Sequence, residues 1–113
     1  MKRLFALWCI ISIQASAGTL DDFFHQHPAL NDNFIIKREI ADRATSNASI
    51  DAVSSGHDVN YGDELMKEQG DSYGEIALRQ IASDCGFSFS DSGQSLSGLK
   101  KDECRIVLSE NGN

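Results

Sequence analysis

The chain has 113 residues with 10 basic and 17 acidic side chains, and its formal net charge is −7. That length allows one small domain and excludes two-domain enzymes, barrels and doubly wound sheets. The excess of acid disfavours a nucleic-acid binder, because neutralising phosphates requires a surplus of lysine and arginine. We therefore predict one domain that binds no nucleic acid.

The beginning of the chain has the pattern of a cleaved signal peptide. Lys2 and Arg3 precede an apolar run over residues 4–13, and small residues occupy positions 15–17. A membrane span needs about 20 apolar residues, and this run is roughly half as long. We predict that residues 1–17 are removed and that residues 18–113 form one domain of the bacterial periplasm, without a membrane anchor.

Removal of this segment takes away two basic residues and no acid, so the net charge of the remaining 96 residues changes from −7 to −9. Only Cys85 and Cys104 then remain of the three cysteines. An even pair in an exported chain favours one disulfide. Such a disulfide closes a loop of about 20 residues and stabilises the folded chain by on the order of 3 kcal/mol. A metal or redox pair would need closely spaced cysteines.

Two helices are predicted in the first third of the exported chain. Thr19 is a suitable N-cap for a short helix with acids in its first turn, and Pro28 ends that helix. From Asn33 onward, Ile36, Ile40 and Ala44 recur at helical spacing and predict a second helix. Its first apolar residues, 34–36, would also suit a strand.

The middle of the chain is predicted to be a long connection. Residues 45–62 are rich in serine, asparagine and glycine, and Ile50 and Val53 are their main apolar pair. Such composition is typical of loops. We predict a short helical turn at this pair within an otherwise irregular segment.

A third helix is predicted over residues 73–85. Ser72 and Glu75 have the spacing of a capping box, and Gly86 is placed to end the helix. One face carries apolar residues that include Cys85, which places the disulfide in the core. The full set on this face is Tyr73, Ile76, Ala77, Ile81 and Cys85.

The end of the chain predicts a short strand followed by a helix. Residues 87–90 alternate between phenylalanine and serine as a strand would. The last element favours a helix, although residues 104–108 would also suit a strand. The predicted fold class is mainly α, a small compact bundle of about four helices with room for one short strand or hairpin and with one disulfide.

Two patterns suggest catalysis or metal binding, and both have simpler explanations. Residues 70–74 match the G-x-S-x-G nucleophile elbow, but polar, helix-favouring residues precede them where an elbow needs a buried strand. His25 and His27 lie near two aspartates, but helical residues two positions apart point in different directions. We predict no catalytic residue, no metal site and no cofactor.

The acidic surface is the remaining functional signal. Negative charge is densest around residues 57–71, and such a field steers a basic partner toward its binding site. We expect a non-enzymatic inhibitor or immunity protein that occludes a basic cell-wall hydrolase or toxin. The predicted contact residues are Asp58, Asp63, Glu64, Glu68 and Asp71.

Other functional classes remain open at this point. The chain would also suit an accessory factor of envelope assembly, such as a pilus, secretion or lysis-control component, or a small acid-responsive periplasmic chaperone. An enzyme would depend on Ser72. A homodimer is also left open, because small bundles often bury residual apolar surface in that way.

Overall fold

The computed structural model describes residues 18–89 and 93–112, and most of these residues are helical. The predicted fold class is confirmed, with five helices where about four were expected. Residues 1–17, which carry the predicted signal peptide, lie outside the described residues. The helices are α1 (Leu20–Gln26), α2 (Pro28–Asn31), α3 (Phe34–Ser54), α4 (Tyr61–Ser88) and α5 (Lys101–Glu110).

The start of α1 is capped as predicted. The Thr19 hydroxyl accepts a hydrogen bond from the Asp22 N–H at 3.2 Å, and the Asp22 carboxylate accepts one from the Thr19 N–H at 2.8 Å. This reciprocal capping box satisfies two backbone donors that a helix start leaves unpaired. The hydrogen bond from the Thr19 backbone, and then that from its hydroxyl, holds the pKa of Asp22 below its ordinary value.

Pro28 separates two short helices. The first helix ends at Gln26, and Pro28 then occupies the first position of α2, where its missing N–H costs nothing. The chain turns again at Asn33, whose side chain accepts a hydrogen bond from the Ile36 N–H at 3.0 Å. This N-cap confirms the helix that was predicted from Asn33 onward, which is α3, and it decides against a strand at residues 34–36.

Helix α3 is 21 residues long, so the prediction of an irregular connection over residues 45–62 is wrong. The buried stripe that begins at Ile36 and Ile40 continues at the same four-residue spacing through three alanines, each of them 0% exposed. Alanine is the strongest helix former, and its small side chain lets α4 approach closely. The polar composition of this segment belongs to its solvent face. The three alanines are Ala44, Ala48 and Ala52.

Helix α4 is longer than predicted at both ends. It begins at Tyr61, and the proposed cap Ser72 lies inside it, three residues beyond a kink at Gln69, where φ is −134° and ψ is 26°. Gly86 does not end the helix, because the Phe89 N–H donates to the Cys85 carbonyl at 2.8 Å. Residues 87 and 88 are therefore helical, and the strand predicted over 87–90 is wrong for its described part; Ser90 lies outside the described residues.

The last helix and the disulfide are confirmed. Helix α5 covers the segment for which a strand was the alternative. Cys85 of α4 and Cys104 of α5 form the disulfide, with 5.5 Å between their Cα atoms. Within residues 18–89 and 93–112 there is no β-strand, only isolated bridges between Gly18 and Gln69 and between Gln94 and Lys100.

The core lies where α1, α3 and α5 pack against α4. Its largest fully buried side chains are apolar, and the disulfide lies among them, so the covalent link and the apolar core stabilise the same helix contacts. The largest are Phe23, Leu30, Ile36, Ile40, Leu78, Ile81, Leu99 and Val107.

Candidate partner-binding surface

Helices α3 and α4 are held side by side by three side-chain hydrogen bonds. Arg43 donates to Asp84 at 2.7 Å, and Asn47 donates to Gln80 at 3.1 Å. Farther along, the Tyr73 hydroxyl donates to the Asp51 carboxylate at 2.7 Å. These bonds fix the register of the two helices, and they therefore position the turn that joins them.

The surroundings of the Tyr73 hydroxyl also change its pKa. The side chain is in the core, and its hydroxyl faces the Asp51 carboxylate at the edge of that core. Burial first, and then the hydrogen bond to Asp51 and its negative charge, raise the pKa of Tyr73 to about 12. The phenol therefore stays a hydrogen-bond donor at neutral pH.

The turn after α3 is a Schellman motif. The Gly56 N–H donates to the Val53 carbonyl at 3.0 Å, and the His57 N–H donates to the Ala52 carbonyl at 2.9 Å. Gly56 has φ of 85°, a left-handed conformation that a side chain disfavours. Beyond it, the rings of His57 and Tyr61 stack with their centroids 4.0 Å apart. Helix α3 therefore ends at a defined point, and α4 begins close to it.

The end of α3 and this turn form a shallow apolar groove, which we call the tip groove. Its apolar residues are Ile50, Val53 and Val59, which are 58%, 57% and 53% exposed. The groove has a volume of about 340 Å³ and is completed by Ser46, Ser49 and Ser54. Solvent-exposed aliphatic side chains grouped in this way are a common feature of protein interaction sites.

Three of the five predicted contact residues lie in the turn after the tip groove and at the start of α4. Asp58 precedes Val59 in the turn, and its carboxylate accepts a hydrogen bond from the Asn60 N–H at 2.9 Å. Asp63 and Glu64 are exposed in the first turn of α4, which follows directly. The apolar groove is therefore followed along the chain by three acids, of which Asp58 is adjacent to the groove residue Val59.

The other two predicted residues lie farther along α4. Glu68 is exposed one helical turn after Glu64, and like charges four residues apart disfavour a helix slightly. Lys67 lies 3.6 Å from Glu64 and offsets part of this repulsion. Asp71 is half-buried beyond the kink, where its carboxylate accepts a hydrogen bond from the Ser72 N–H at 2.8 Å. Asp71 is therefore separated from the tip groove.

The sequence interpretation missed the apolar part of this surface. Ile50 and Val53 were placed in a short helical turn within a long connection, whereas both lie on the long helix α3. If the stripe that begins at Ile36 is extended along the helix, these two positions fall outside it and must face solvent. The continued four-residue spacing was the signal that would have exposed them.

A second groove contains exposed apolar surface, but its charge has the opposite sign. Phe34 is 73% exposed and lies beside Lys37 and Arg38 in a groove that also includes Phe24. The Lys37 ammonium is 5.4 Å from the centre of the Phe24 ring. Two of its three charged lining residues are basic and the third is Asp21, so this groove does not complement a basic partner.

The two histidines considered as metal ligands point to different places. His25 contacts the carbonyl of Asp21 in its own helix at 3.0 Å. His27 instead lies between two carboxylates, with Nδ1 3.1 Å from Glu110 and Nε2 3.4 Å from Glu75. This contact joins the α1–α2 turn to α4 and α5. No group of three or more His, Cys, Asp or Glu side chains suited to a metal ion occurs in the described part of the chain.

The G-x-S-x-G pattern has no nucleophile elbow around it. Its five residues lie within α4, where an elbow would need a strand before the serine. Both glycines instead allow close packing. A Cβ atom on Gly70 would lie 2.5 Å from the Leu20 nitrogen, and one on Gly74 would lie 2.6 Å from Cγ of Phe23.

The chain matches no protein-family model, no curated protein and no solved structure. Among the described residues, no helix combines the length and the apolar character needed to cross a membrane.

Proposed function

We propose that this chain is a non-enzymatic protein-binding module of the bacterial periplasm, an inhibitor or immunity protein that occludes a basic cell-wall hydrolase or toxin. The observation that carries the proposal is the exposed apolar tip groove, together with the acids of the chain segment that follows it, Asp58 next to Val59 and then Asp63 and Glu64 at the start of α4. Protein interfaces combine an apolar centre with a polar rim, and this surface has both parts.

The two parts of the surface have different roles in the proposed complex. The aliphatic side chains of the groove become buried against the partner, which supplies affinity through the area removed from water. The carboxylates attract a positively charged partner and orient it, which mainly raises the association rate. The rate of association should therefore fall as salt is added, because salt screens exposed charges.

The Schellman turn supports this role of the tip. Because the turn is closed by hydrogen bonds and α3 is fixed against α4, the groove is already formed in the free protein. A rigid surface loses less conformational entropy on binding than a flexible loop. Protease inhibitors bind in this preorganised way, with little backbone movement.

The first experiment captures partners from a periplasmic extract of the source bacterium on the immobilised protein, at low and at high salt. We expect a basic protein that is released by salt and whose hydrolysis of purified cell wall is blocked when the captured chain is added. Asp63→Lys should weaken capture at least tenfold. A captured hydrolase that remains fully active in the complex would contradict the proposal.

The control for the charge change is Asp102→Lys. Asp102 also lies in the first turn of a helix, and its side chain is 90% exposed on α5. The two variants therefore make the same change of charge and lose a similar interaction with a helix dipole, and Asp102→Lys in addition breaks the exposed 2.8 Å ion pair with Arg105. Equal weakening by both variants would show that binding depends on net charge and not on the tip.

The apolar part is tested separately with Val53→Ser, and Ile35→Ser is the control. Ile35 is 52% exposed near the other end of α3, so both substitutions remove an exposed aliphatic group from the same helix. We expect Val53→Ser to raise Kd about tenfold, which corresponds to about 1.4 kcal/mol. Ile35→Ser should leave Kd unchanged.

A further inference from the structure

The chain crosses α4 at the kink as it enters α1. The Gly18 N–H donates to the Glu68 carbonyl at 3.2 Å, and the Gly18 carbonyl accepts from the Asp71 N–H at 3.2 Å. These two bonds make the bridge between Gly18 and Gln69. They form where the φ and ψ of Gln69 interrupt the helix, so backbone groups of α4 are free to pair with Gly18.

The crossing is close because both sides lack a side chain. A Cβ atom on Gly18 would overlap the carboxylate of Asp71, and one on Gly70 would lie 3.0 Å from the carbonyl carbon of Thr19. The backbone of Gly18 is buried in this contact. The Gly18 nitrogen thus lies beside a backbone carbonyl, and the Gly18 Cα lies against a carboxylate.

Cleavage after Ala17 would change the chemistry of that nitrogen. Hydrolysis of the peptide bond between Ala17 and Gly18 leaves a carboxylate on Ala17 and an α-amino group on Gly18, which is protonated at neutral pH. One amide N–H is then replaced by a cation with three donors. Charged donors make shorter and stronger hydrogen bonds than neutral ones.

We propose that the kink of α4 is a binding site for the chain's own new N-terminal ammonium group, held by the Glu68 carbonyl and the Asp71 carboxylate. Removal of residues 1–17 then adds an ion pair that fastens the start of the domain to its longest helix. The proposal rests on the predicted cleavage site and is independent of any partner. It also gives Asp71 a role within the fold, where the sequence suggested a partner contact.

Other charged groups near the crossing are already engaged or face solvent. Lys67 and Asp21 line a shallow groove beside Thr19 and Leu20, and Lys67 is paired with Glu64. Asp22 is held in the capping box with Thr19. The Glu68 side chain is exposed. Asp71 is therefore the carboxylate in direct contact with Gly18.

The sign of the pH dependence follows from the pairing. An ammonium group paired with Asp71 has a pKa above its ordinary value near 8, so its stabilising effect is complete below pH 7 and is lost as pH rises through the folded-state pKa. Histidine ordinarily titrates near 6.5, and lysine and tyrosine near 10. Both described cysteines are in the disulfide. The window between pH 7 and pH 9 therefore contains the ordinary pKa of an N-terminus, and a variant of Asp71 separates the effect of that group from the effect of His27, which lies between Glu75 and Glu110.

The experiment uses the protein as the cell exports it, purified from the periplasm. Its intact mass gives the first residue, and thermal unfolding is then followed at pH 7 and pH 9. We expect a chain that begins at Gly18 and a Tm that falls by about 4 °C between the two pH values. A different first residue, or a Tm that does not change, would overturn the proposal.

Two variants assign the effect to Asp71. Asp71→Asn keeps an oxygen for the Ser72 N–H and removes the charge, so its Tm should be the same at pH 7 and pH 9. Asp63→Asn removes an exposed charge from the same helix and should keep the full decrease. The proposal is overturned if Asp71→Asn keeps the decrease, or if both variants lose it. Neither result depends on whether a partner is captured.

Discussion

Tyr73 shows how a single side chain joins the core to the polar contact between α3 and α4. Its ring is buried, and its hydroxyl donates to Asp51. The sequence placed Tyr73 correctly on the core face of its helix, together with Ala77, Ile81 and Cys85. Ile76 was assigned to the same face but is 38% exposed, because the helix turns its edge toward solvent there.

The raised pKa of Tyr73 predicts a loss of stability in alkali. The pKa is about 12 in the folded protein and near 10 in the unfolded chain, so the stabilising effect is complete below pH 10 and is lost as pH rises from 10 to 12. Tyr73→Phe should remove this part of the pH dependence in urea unfolding between pH 9.5 and 11.5. At pH 7 it should cost about 1 kcal/mol for the lost hydrogen bond. An unchanged alkaline slope would contradict the assignment.

Alanine variants of Thr19 and Ser72 distinguish a residue that caps a helix from one that only matches the sequence pattern of a cap. Thr19→Ala removes the acceptor at the start of α1 and should lower the free energy of unfolding by about 1 kcal/mol. Ser72→Ala changes an exposed side chain within α4 and should stay within about 0.5 kcal/mol of the native protein. Urea unfolding of the two variants measures both. A larger decrease in the free energy of unfolding for Ser72→Ala would show that Ser72 caps a helix, as the sequence suggested.

At the scale of elements, helix starts were easier to predict than helix lengths. Thr19 was identified as a cap because caps are local and its side chain binds a group three residues away. Asn33 was identified only as the point from which the next helix runs, and its role as a cap came from the structure. The extent of α3 was missed because serine and asparagine favour loops when judged alone. Packing of Ala44, Ala48 and Ala52 against α4 outweighs that preference, and packing depends on residues distant in sequence.

Substitution by alanine should change the stability of the protein in opposite directions at Gly56, just after α3, and at Gly86, inside α4. Gly56 ends α3 with a positive φ, so Gly56→Ala should cost about 1 kcal/mol. Gly86 lies inside α4, and a Cβ atom there meets nothing within 4 Å. Gly86→Ala should therefore stabilise the protein by roughly 0.5–1 kcal/mol, because alanine loses less backbone entropy in a helix. Thermal unfolding of both variants tests this, and stabilisation by Gly56→Ala would contradict the Schellman turn.

At the scale of the whole molecule, the disulfide and the α3–α4 contact make one unit from five helices. The linked cysteines are 19 positions apart, and they connect the end of α4 to α5 within the core. Because α2 also contacts both α3 and α5, loosening of α5 affects two sides of the domain.

Removal of the disulfide should therefore lower the stability of the whole domain. Cys85→Ser with Cys104→Ser is expected to cost about 3 kcal/mol, the value that the loop length predicts. Urea unfolding with and without reductant measures it, and reductant should have no effect on the double variant. A midpoint that reductant leaves unchanged in the native protein would show that the bond contributes nothing to stability.

The sequence predicted the acidic residues of the candidate surface but not its apolar groove. The acids Asp58, Asp63 and Glu64 were visible because they lie within one short stretch of the sequence. The apolar groove was not, because Val59 approaches Ile50 and Val53 only when the turn after α3 is closed. Asp71 was grouped with the other acids by its place in the sequence, and the kink at Gln69 places it against Gly18 instead.

The sequence by itself determined the helical class, the cap at Thr19, the helix that follows Asn33, the cysteine pair and the excess of acid, because each depends on composition or on neighbours a few residues apart. The tertiary structure decided where α3 and α4 end, which apolar residues face solvent and which acid meets the start of the domain. Those outcomes depend on contacts between distant segments, whose energies no local pattern contains.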